Sequence, residues 1–246
     1  TLFHMAHEHG WRGNGQYEPL DPETLERRLR EREAQEAKAR AEREREAKRA
    51  ADKAATLWAQ SGPGMSPYLA RKGVASPETL RVIEAARAAE ILGYQPKARE
   101  EPLEGLLTVV PIKTYGFLAT VELIDSQGRK TAIYGGTKKG GYWAAQPMPE
   151  GDGKDLTLCI GEGVATCLTV REATGFPVVA ALSSGNLESI AAQMRARYPK
   201  ADLVILADLV KATGEADPHA VKAAAHGRLA VPGFGGGRLA HQSDFN

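Results

Sequence analysis

LTLCIGEG (156–163) and ADLVILADLV (201–210) are the two stretches that decide the fold of this chain. Each is a short apolar run without polar alternation, which is typical of a strand buried on both faces in a parallel sheet. Each run also ends close to one carboxylate, Glu162 in the first and Asp208 in the second. Because ligands of open α/β sheets bind at the carboxyl ends of the strands, the two acids predict a site for a divalent metal or for acid/base chemistry.

Helices and further strands alternate with these two runs. The predicted helices are VATCLTVREATG (164–175), LESIAAQMRARYP (187–199) and DPHAVKAAAHG (217–227). The further strands are FPVVAALSSGNL (176–187), which ends in a turn, and RLAVPGF (228–234). Asp217 and Pro218 have the pattern of an N-cap followed by the first helical residue. Short links between alternating elements predict an α/β fold with a four-stranded parallel sheet flanked by helices.

The region before residue 151 has a different pattern. Alternating hydrophobicity predicts the antiparallel strands LTVVPIKT (107–114), GFLATVELID (116–125) and KTAIYGG (130–136), with SQGR (126–129) as a hairpin turn. Ahead of them, SGPGMSPYLARKGV (61–74) predicts a turn and a short helix. Ser76 and Pro77 predict the start of another helix, which ends near Gly93. These elements predict a small domain of helices and antiparallel strands.

A long charged helix precedes that domain. Residues 25–58 are almost entirely Ala, Glu, Arg and Lys, and Asp21-Pro22 supplies a cap and a first helical residue. Glu and Arg recur at spacings of three and four, as in a solvated helix. Two interpretations stay open: a spacer between domains, or a helix that packs on a partner or follows a phosphate backbone.

The predicted domain order starts with the tail of a preceding domain (1–20). It continues with the charged helix (21–58), the helix-and-strand domain (59–150) and the α/β domain (151–246). The histidines of the tail, His4, His7 and His9, are weak metal candidates because no cysteine accompanies them and the end of a chain is a poor scaffold. Because the chain begins with Thr1 and stops after SDFN, we expect a fragment of a longer protein.

The composition excludes some classes of protein and leaves others open. The formal net charge of the 246 residues is +1, so any basic surface must be local. Cys159 and Cys167 lie in predicted core elements without a CxxC pair, which argues against a zinc site or disulfides and favours a reducing cytoplasm. No apolar run approaches the roughly 18 residues of a membrane span, and no signal peptide is visible.

GGTKKGGYW (135–143) is a glycine-rich connection that contains Lys138 and Lys139. Glycines beside lysines and aromatic residues let a backbone approach phosphates while rings stack on bases. A flexible loop with two solvated lysines is the alternative, and the composition leaves both open.

This order of motifs resembles the Toprim domain shared by bacterial-type primases, type IA and type II topoisomerases and some nucleases. The closer resemblance is to the primases of conjugative plasmids, integrative elements and satellite phages. In those proteins a helical piece like LWAQSGPGMSPYLARKGV (57–74) and a strand piece like VELIDSQGRKTAIYGGTKKGGYW (121–143) precede the Toprim region. A DFN-like end, here residues 244–246, completes it, so the resemblance covers residues 54–246.

The resemblance implies roles for the acids. Glu162 matches the family's glutamate, proposed as general acid/base in nucleotidyl transfer, and Asp208 matches the first Asp of a DxD pair that holds Mg²⁺. Val210 stands where the second Asp is expected, which weakens a site whose octahedral shell needs carboxylates, waters and substrate phosphates. Asp217 is the nearest replacement if loop 209–216 folds back across the strand ends. Asp244 is a further candidate acid.

Polar and basic residues near the expected site are candidates for contacts with nucleotide phosphates or with the template. They are Arg129, Lys130, Lys138, Lys139, Lys211, Ser184 and Asn186.

The resemblance implies the primase core of a mobile-element replication protein. Such a core makes short RNA primers on single-stranded DNA from NTPs with Mg²⁺ or Mn²⁺, beside a helicase domain or protein and without a membrane partner. Two alternatives stay open: a degenerate, non-catalytic Toprim module that binds DNA or a partner, suggested by Val210, and a Toprim nuclease that uses the same acids. A topoisomerase is disfavoured because strand passage needs a tyrosine nucleophile from a further domain.

Overall fold

The computed structural model describes residues 21–234, 239 and 242–246. The predictions for residues 1–20, including the three histidines, lie outside the described residues. The chain divides into two compact units, residues 1–46 and 47–246. Helix α1 (Pro22–Gln60) starts in the first unit. The predicted cap is confirmed, because Asp21 Oδ1 accepts a hydrogen bond of 2.8 Å from the Thr24 N–H.

The described part of the first unit is this charged helix. Its side chains are mostly exposed and form ion pairs one turn apart, such as Arg30 with Glu26 (2.6 Å) and Arg32 with Glu36 (2.8 Å). Exposed pairs of this kind each stabilise a helix by about 0.3–0.5 kcal/mol. The first unit therefore owes its helix to local propensity and charge spacing.

The second unit begins with an antiparallel sheet. Its strands are β1 (Arg81–Glu84), β4 (Leu106–Thr114), β5 (Phe117–Ile124) and β6 (Lys130–Ala132), in the spatial order β1-β4-β5-β6. A separate small hairpin consists of β2 (Lys97–Ala98) and β3 (Glu101–Pro102). The helices of this part are α2 (Pro67–Arg71) and α3 (Ala85–Leu92). One face of the sheet packs on α3 and the last turns of α1, through a core that includes Leu57, Leu92, Leu107, Val109 and Val121.

The prediction that a helix begins at Pro77 is wrong. Residues 77–80 form a turn, closed by a bond of 3.0 Å from the Leu80 N–H to the Pro77 carbonyl, and strand β1 follows. Val82 and Ile83 are β-branched, which suits a strand, and Ile83 pairs with Leu107 in β4 and is buried. The gain from pairing and burial outweighs the local capping signal, so the helix starts at Ala85 instead.

The second sheet of this unit is the α/β domain. Its strands are β7 (Trp143–Ala144), β8 (Thr157–Gly161), β9 (Val178–Ala180), β10 (Asp202–Leu206) and β11 (Arg228–Ala230), in the order β11-β10-β8-β9-β7. Its helices are α4 (Val164–Thr174), α5 (Leu187–Arg197) and α6 (Pro218–Ala223). Strands β8 to β11 pair in parallel, as predicted. The added edge strand β7 is antiparallel to β9, and its two residues give no strand signal in the sequence.

Helices cover both faces of the parallel sheet. Helix α4 shares a core with Cys159 and Leu206, whereas α5 and α6 pack on the other face with Ile160 and Ile205. The core on the α4 side also includes Ile112 and other residues from the face of the antiparallel sheet that is turned away from α3. The fold predicted from the sequence is therefore confirmed. The shared core packs the end of β5 against the parallel sheet. The domain boundaries at residues 58 and 150 stay a prediction.

Both cysteines of the second unit are buried and unpaired. In the described part of the chain, no helix is long and apolar enough to cross a membrane.

Candidate active site

Glu162 lies at the carboxyl end of β8, directly before α4. Its neighbour Gly161 is required by packing, because a Cβ there would lie 2.9 Å from Cys167 Sγ and 3.3 Å from the Leu206 side chain. Neither glycine of GEG has a positive φ; that of Gly163 is −97°. The close packing of Cys167 and Leu206 against Gly161 therefore explains the first glycine, and a left-handed backbone does not.

Burial and charged neighbours shift the pKa of Glu162. Burial raises its pKa above the ordinary value, and the negative charge of Asp217 adds to the rise. The positive charges of Lys130 and Lys138 oppose it. A glutamate with a raised pKa is better matched to accept or donate a proton near neutral pH than a solvated one.

Asp208 lies two residues beyond the end of β10, the parallel neighbour of β8. Burial raises its pKa to about 7, and the negative charges of Glu162, Asp244 and Asp217 contribute to the rise. Its Oδ1 atom is buried and has no hydrogen-bond partner among the residues that the structure describes. A buried acceptor without a donor is costly, so this carboxylate needs either a proton or a cation.

Loop 209–216 folds back towards Asp208 as a short hairpin. Leu209 and Ala216 form an antiparallel bridge, and the Asp217 N–H donates to the Asp208 carbonyl at 2.8 Å. The loop therefore returns Asp217 to Asp208, the arrangement expected of a replacement acid. Asp217 Oδ1 also accepts a bond of 2.7 Å from the His219 N–H, so one of its two carboxylate oxygens caps α6.

The DFN end of the chain packs beside the same acids. The Leu209 N–H donates to the Ser243 carbonyl at 2.6 Å. Asn246 Nδ2 donates to the Lys72 carbonyl at 2.9 Å and to Thr169 Oγ1 at 2.8 Å. These bonds hold Asp244 close enough to Asp208 to contribute to its raised pKa.

A buried ion pair joins the antiparallel sheet to the strand ends. Glu122 of β5 is 2% exposed, and its Oε1 accepts a bond of 2.6 Å from Lys138 Nζ, while Lys130 Nζ lies 3.9 Å from its Oε2. Lys138 also donates to the Leu182 carbonyl at 3.1 Å, and the Leu182 N–H donates to the Glu162 carbonyl at 2.9 Å. Glu122 is not among the site residues predicted from the sequence, although a single acid within the apolar run VELI was a usable signal.

Residues 157–246 match the family model described as Toprim domain. The matched residues form a Toprim domain. The two acids at adjacent strand ends lie within the matched residues, and the match ends with the DFN segment that packs beside them.

Two sequence relatives of this chain are Escherichia coli proteins, each named DNA primase TraC. One is 31% identical over 153 residues, which are 50% of this chain and 14% of the relative. The other is 33% identical over 106 residues, 43% of this chain and 7% of the relative. The chain thus spans a small part of the relatives it matches. These matches confirm the predicted resemblance to Toprim-domain primases.

Two bacteriophage T7 structures show a weaker similarity. The primase fragment of the T7 primase-helicase protein has a TM-score of 0.44 at 14% identity, over 70% of this chain and 73% of that one. The second structure is that of T7 lagging-strand DNA polymerase interacting with primase domains of two gp4 subunits. One of its chains matches with a TM-score of 0.44 at 15% identity, over 71% of this chain and 83% of that one. Because both TM-scores lie below 0.5, the assignment of the Toprim domain rests on the family match and the sequence relatives.

The acids of the Toprim domain suit a cation only in part. No group of three or more His, Cys, Asp or Glu side chains in residues 21–234, 239 and 242–246 is arranged to hold a metal ion. Glu162, Asp208 and Asp217 are therefore not a complete protein cage. Mg²⁺ commonly takes one or two carboxylates and completes its shell with waters and substrate phosphates. The unpaired Oδ1 of Asp208 and the mutual repulsion of the acids fit such a site.

Asn186 is buried, and its predicted role in nucleotide binding stays a prediction. Its buried amide accepts a bond of 2.9 Å from the Gly140 N–H and donates to the carbonyls of Gly141 (2.8 Å) and Ala181 (3.0 Å). It therefore fastens the glycine-rich loop to the Toprim domain. Ser184 lies half-buried in the adjoining turn, and its contact with phosphate stays a prediction.

The structure places the other basic candidates in different surroundings. Arg129 pairs with Asp125 at 2.6 Å and with Glu101 at 2.9 Å, so its guanidinium stabilises the hairpin turn. Lys138 is used in the pair with Glu122 described above. Lys139 and Lys211 are exposed, and their roles stay predictions.

Proposed function

We propose that this chain is the catalytic core of a DNA primase, which makes RNA primers on single-stranded DNA by metal-dependent nucleotidyl transfer. The observation that best supports it is the buried, unpaired Oδ1 of Asp208 beside Glu162, at adjacent strand ends of a Toprim domain. The relatives named DNA primase support the same reaction.

Each acid has a distinct role in this proposal. Asp208 and Asp217 hold Mg²⁺ or Mn²⁺, and Glu162 moves the proton of the attacking 3′-hydroxyl. A cation held by these acids would supply positive charge that neutralises the nucleotide phosphates during transfer. Lys130 and Lys138 keep a positive potential beside Glu162, as their opposing effect on its pKa indicates.

The partners follow from this reaction. They are a single-stranded DNA template, NTPs and a helicase domain or protein, within a plasmid or phage replication system in the cytoplasm. We assign template or phosphate contacts to Lys139, Lys211 and Ser184. In the proposed division, residues 59–150 form a primase-core subdomain and residues 151–246 form the Toprim domain.

Primer synthesis tests the proposal directly. The chain is incubated with single-stranded template, labelled NTPs and Mn²⁺, and products are resolved by denaturing gel electrophoresis. We expect short RNA products that disappear in Glu162→Gln and persist in Glu90→Gln, an exposed glutamate of α3. Cleavage of the template under the same conditions would instead indicate a Toprim nuclease.

Val210 supports a second candidate function, a Toprim module that binds DNA without turnover. The variant Val210→Asp restores the second acid of the pair that the family resemblance implies. If the natural chain binds DNA without product and Val210→Asp makes primers, the module has lost catalysis through this position. Equal synthesis by both chains would show that Asp217 is sufficient.

A further inference from the structure

Three aromatic side chains of the antiparallel sheet are almost fully exposed. Tyr115 is 86% exposed, Phe117 80% and Tyr134 79%. Tyr115 and Phe117 belong to the hairpin between β4 and β5, and Tyr134 follows β6. The proposed chemistry uses none of them, and rings this exposed contribute little to the core. We refer to Tyr115, Phe117 and Tyr134 as the aromatic platform.

The strand register puts Phe117 on the side of the antiparallel sheet that packs towards the parallel sheet. Tyr134 follows the edge strand β6 of the same sheet, in a turn closed by a bond of 2.9 Å from the Gly136 N–H to the Ile133 carbonyl. A shift of register after Ile112 leaves Phe117 paired with Thr114, on the face of Ile112. That face is the one packed towards the parallel sheet.

The surface around the platform is positively charged although the chain as a whole is nearly neutral. Residues 111–143 contain five lysines and arginines and two acids, Glu122 and Asp125. Both acids are buried, at 2% and 1% exposure, and both are paired with basic side chains. Lys113 and Lys139 are exposed on the same elements. The outward charge of this segment is therefore positive.

The turn that contains Tyr115 has a backbone conformation that tyrosine disfavours. Thr114 pairs with Phe117, which leaves Tyr115-Gly116 as a two-residue turn in which both φ angles are positive, 50° and 85°. Such turns strongly prefer Asn-Gly, because a residue with a large side chain is disfavoured in the left-handed region. Tyr115 is also too exposed for packing to explain its presence.

We propose that the aromatic platform stacks the bases of single-stranded DNA while Lys113 and Lys139 contact its phosphates, so that the strand is led towards Glu162. Exposed rings interleaved with lysines are the combination that binds single strands without regard to sequence. An apolar protein partner would not require the surrounding positive charge. The inference rests on the proposed function only for the identity of the strand as template, because binding is measured without catalysis.

Fluorescence anisotropy with a labelled oligo(dT) in EDTA tests the platform. Phe117→Ala and Tyr134→Ala are each expected to weaken binding about 5- to 150-fold, the range given by stacking of one base. Phe117→Trp keeps a ring and should retain affinity. Phe176→Ala is the matched control, because Phe176 is 42% exposed but precedes the amino end of β9, whereas Glu162 follows the carboxyl end of the parallel neighbour β8. Unchanged binding in both alanine variants would overturn the proposal.

Tyr115→Asn separates a binding role from a folding role. Asparagine suits the left-handed turn better than tyrosine, so the melting temperature should rise while affinity for oligo(dT) falls at least about fivefold. A purely structural tyrosine would give the opposite result, a lower melting temperature with unchanged affinity.

The outcomes distinguish the platform from the primase proposal. Loss of DNA binding in the platform variants, combined with no primer synthesis by the natural chain, supports the platform and rejects the primase function. Primer synthesis with full DNA binding in Phe117→Ala and Tyr134→Ala rejects the platform and keeps the function. If these variants abolish self-association in sedimentation velocity and leave DNA binding intact, the surface is an interface between copies and the proposal is wrong.

Discussion

Replacing Asp208 by asparagine should make the protein more stable at pH 8 while it removes activity. The folded pKa of Asp208 is raised from 3.8 to about 7, mainly by burial and then by the negative charge of Glu162. A raised pKa in an acid means that the folded state binds the proton more tightly than the unfolded state. The penalty for ionised Asp208 is therefore absent below about pH 4, grows between pH 4 and 7, and is complete above pH 7.

The size of the effect follows from the shift. About three pKa units at 1.36 kcal/mol each set a ceiling of about 4 kcal/mol. Asp208 keeps some contact with solvent, which screens its charge, so we expect about half of that ceiling, or about 2 kcal/mol. For a folded unit of this size, the melting temperature of Asp208→Asn should rise by about 4–8 °C at pH 8.

Differential scanning fluorimetry between pH 4 and 8 measures this gain. The difference between Asp208→Asn and the natural chain should grow as the pH rises. Asp202→Asn is the control, because Arg228 lowers the pKa of Asp202 and its loss should not stabilise the protein at pH 8. Mn²⁺ should stabilise the natural chain more than Asp208→Asn. An Asp208→Asn variant that is no more stable than the natural chain at pH 8, or a difference that does not depend on pH, would contradict the raised pKa of Asp208.

Three further substitutions test the scaffold of the site. Lys138→Met leaves the buried Glu122 without its main partner and should lower the free energy of unfolding in urea by about 3–5 kcal/mol. Adding Glu122→Leu to the same chain should restore most of this stability, and no restoration would contradict the pairing. Gly161→Ala should cost about 1–3 kcal/mol because its methyl group meets α4, whereas Gly163→Ala should be tolerated, and equal costs would argue against close packing. Asn186→Ala should increase hydrogen exchange at the backbone amides of loop 138–141, and unchanged protection would show that the loop does not depend on this amide.

The parallel sheet was predictable because its signals are local and repeated. Each strand is a continuous apolar run, and each helix has its own cap or stop, such as Asp217 at α6 and Gly175 after α4. Glu162 and Asp208 could be selected because each is a single acid at the end of such a run. The sequence could not show that hydrogen bonds of the hairpin return Asp217 to Asp208, because that depends on pairing within the loop.

Local sequence patterns are least informative where tertiary contacts decide the structure. Ser76 and Pro77 have the pattern of a helix start, yet pairing with β4 makes the following residues a strand. Asn186 lies in a turn at the strand rim, where a phosphate-binding residue would lie, and its hydrogen bonds to the glycine-rich loop were not predicted. Both outcomes depend on segments far apart in the chain, which neither periodicity nor capping patterns reveal.

The central claim is that the acids at the strand ends of the Toprim domain perform nucleotidyl transfer. The most direct measurement is the initial rate of primer synthesis on single-stranded DNA with Mn²⁺ for the natural chain, Glu162→Gln and Glu90→Gln. Loss of a general acid/base predicts a rate about 10²–10⁴-fold lower for Glu162→Gln, with oligo(dT) affinity unchanged and Glu90→Gln fully active. Primer synthesis by Glu162→Gln at the natural rate would contradict the claim.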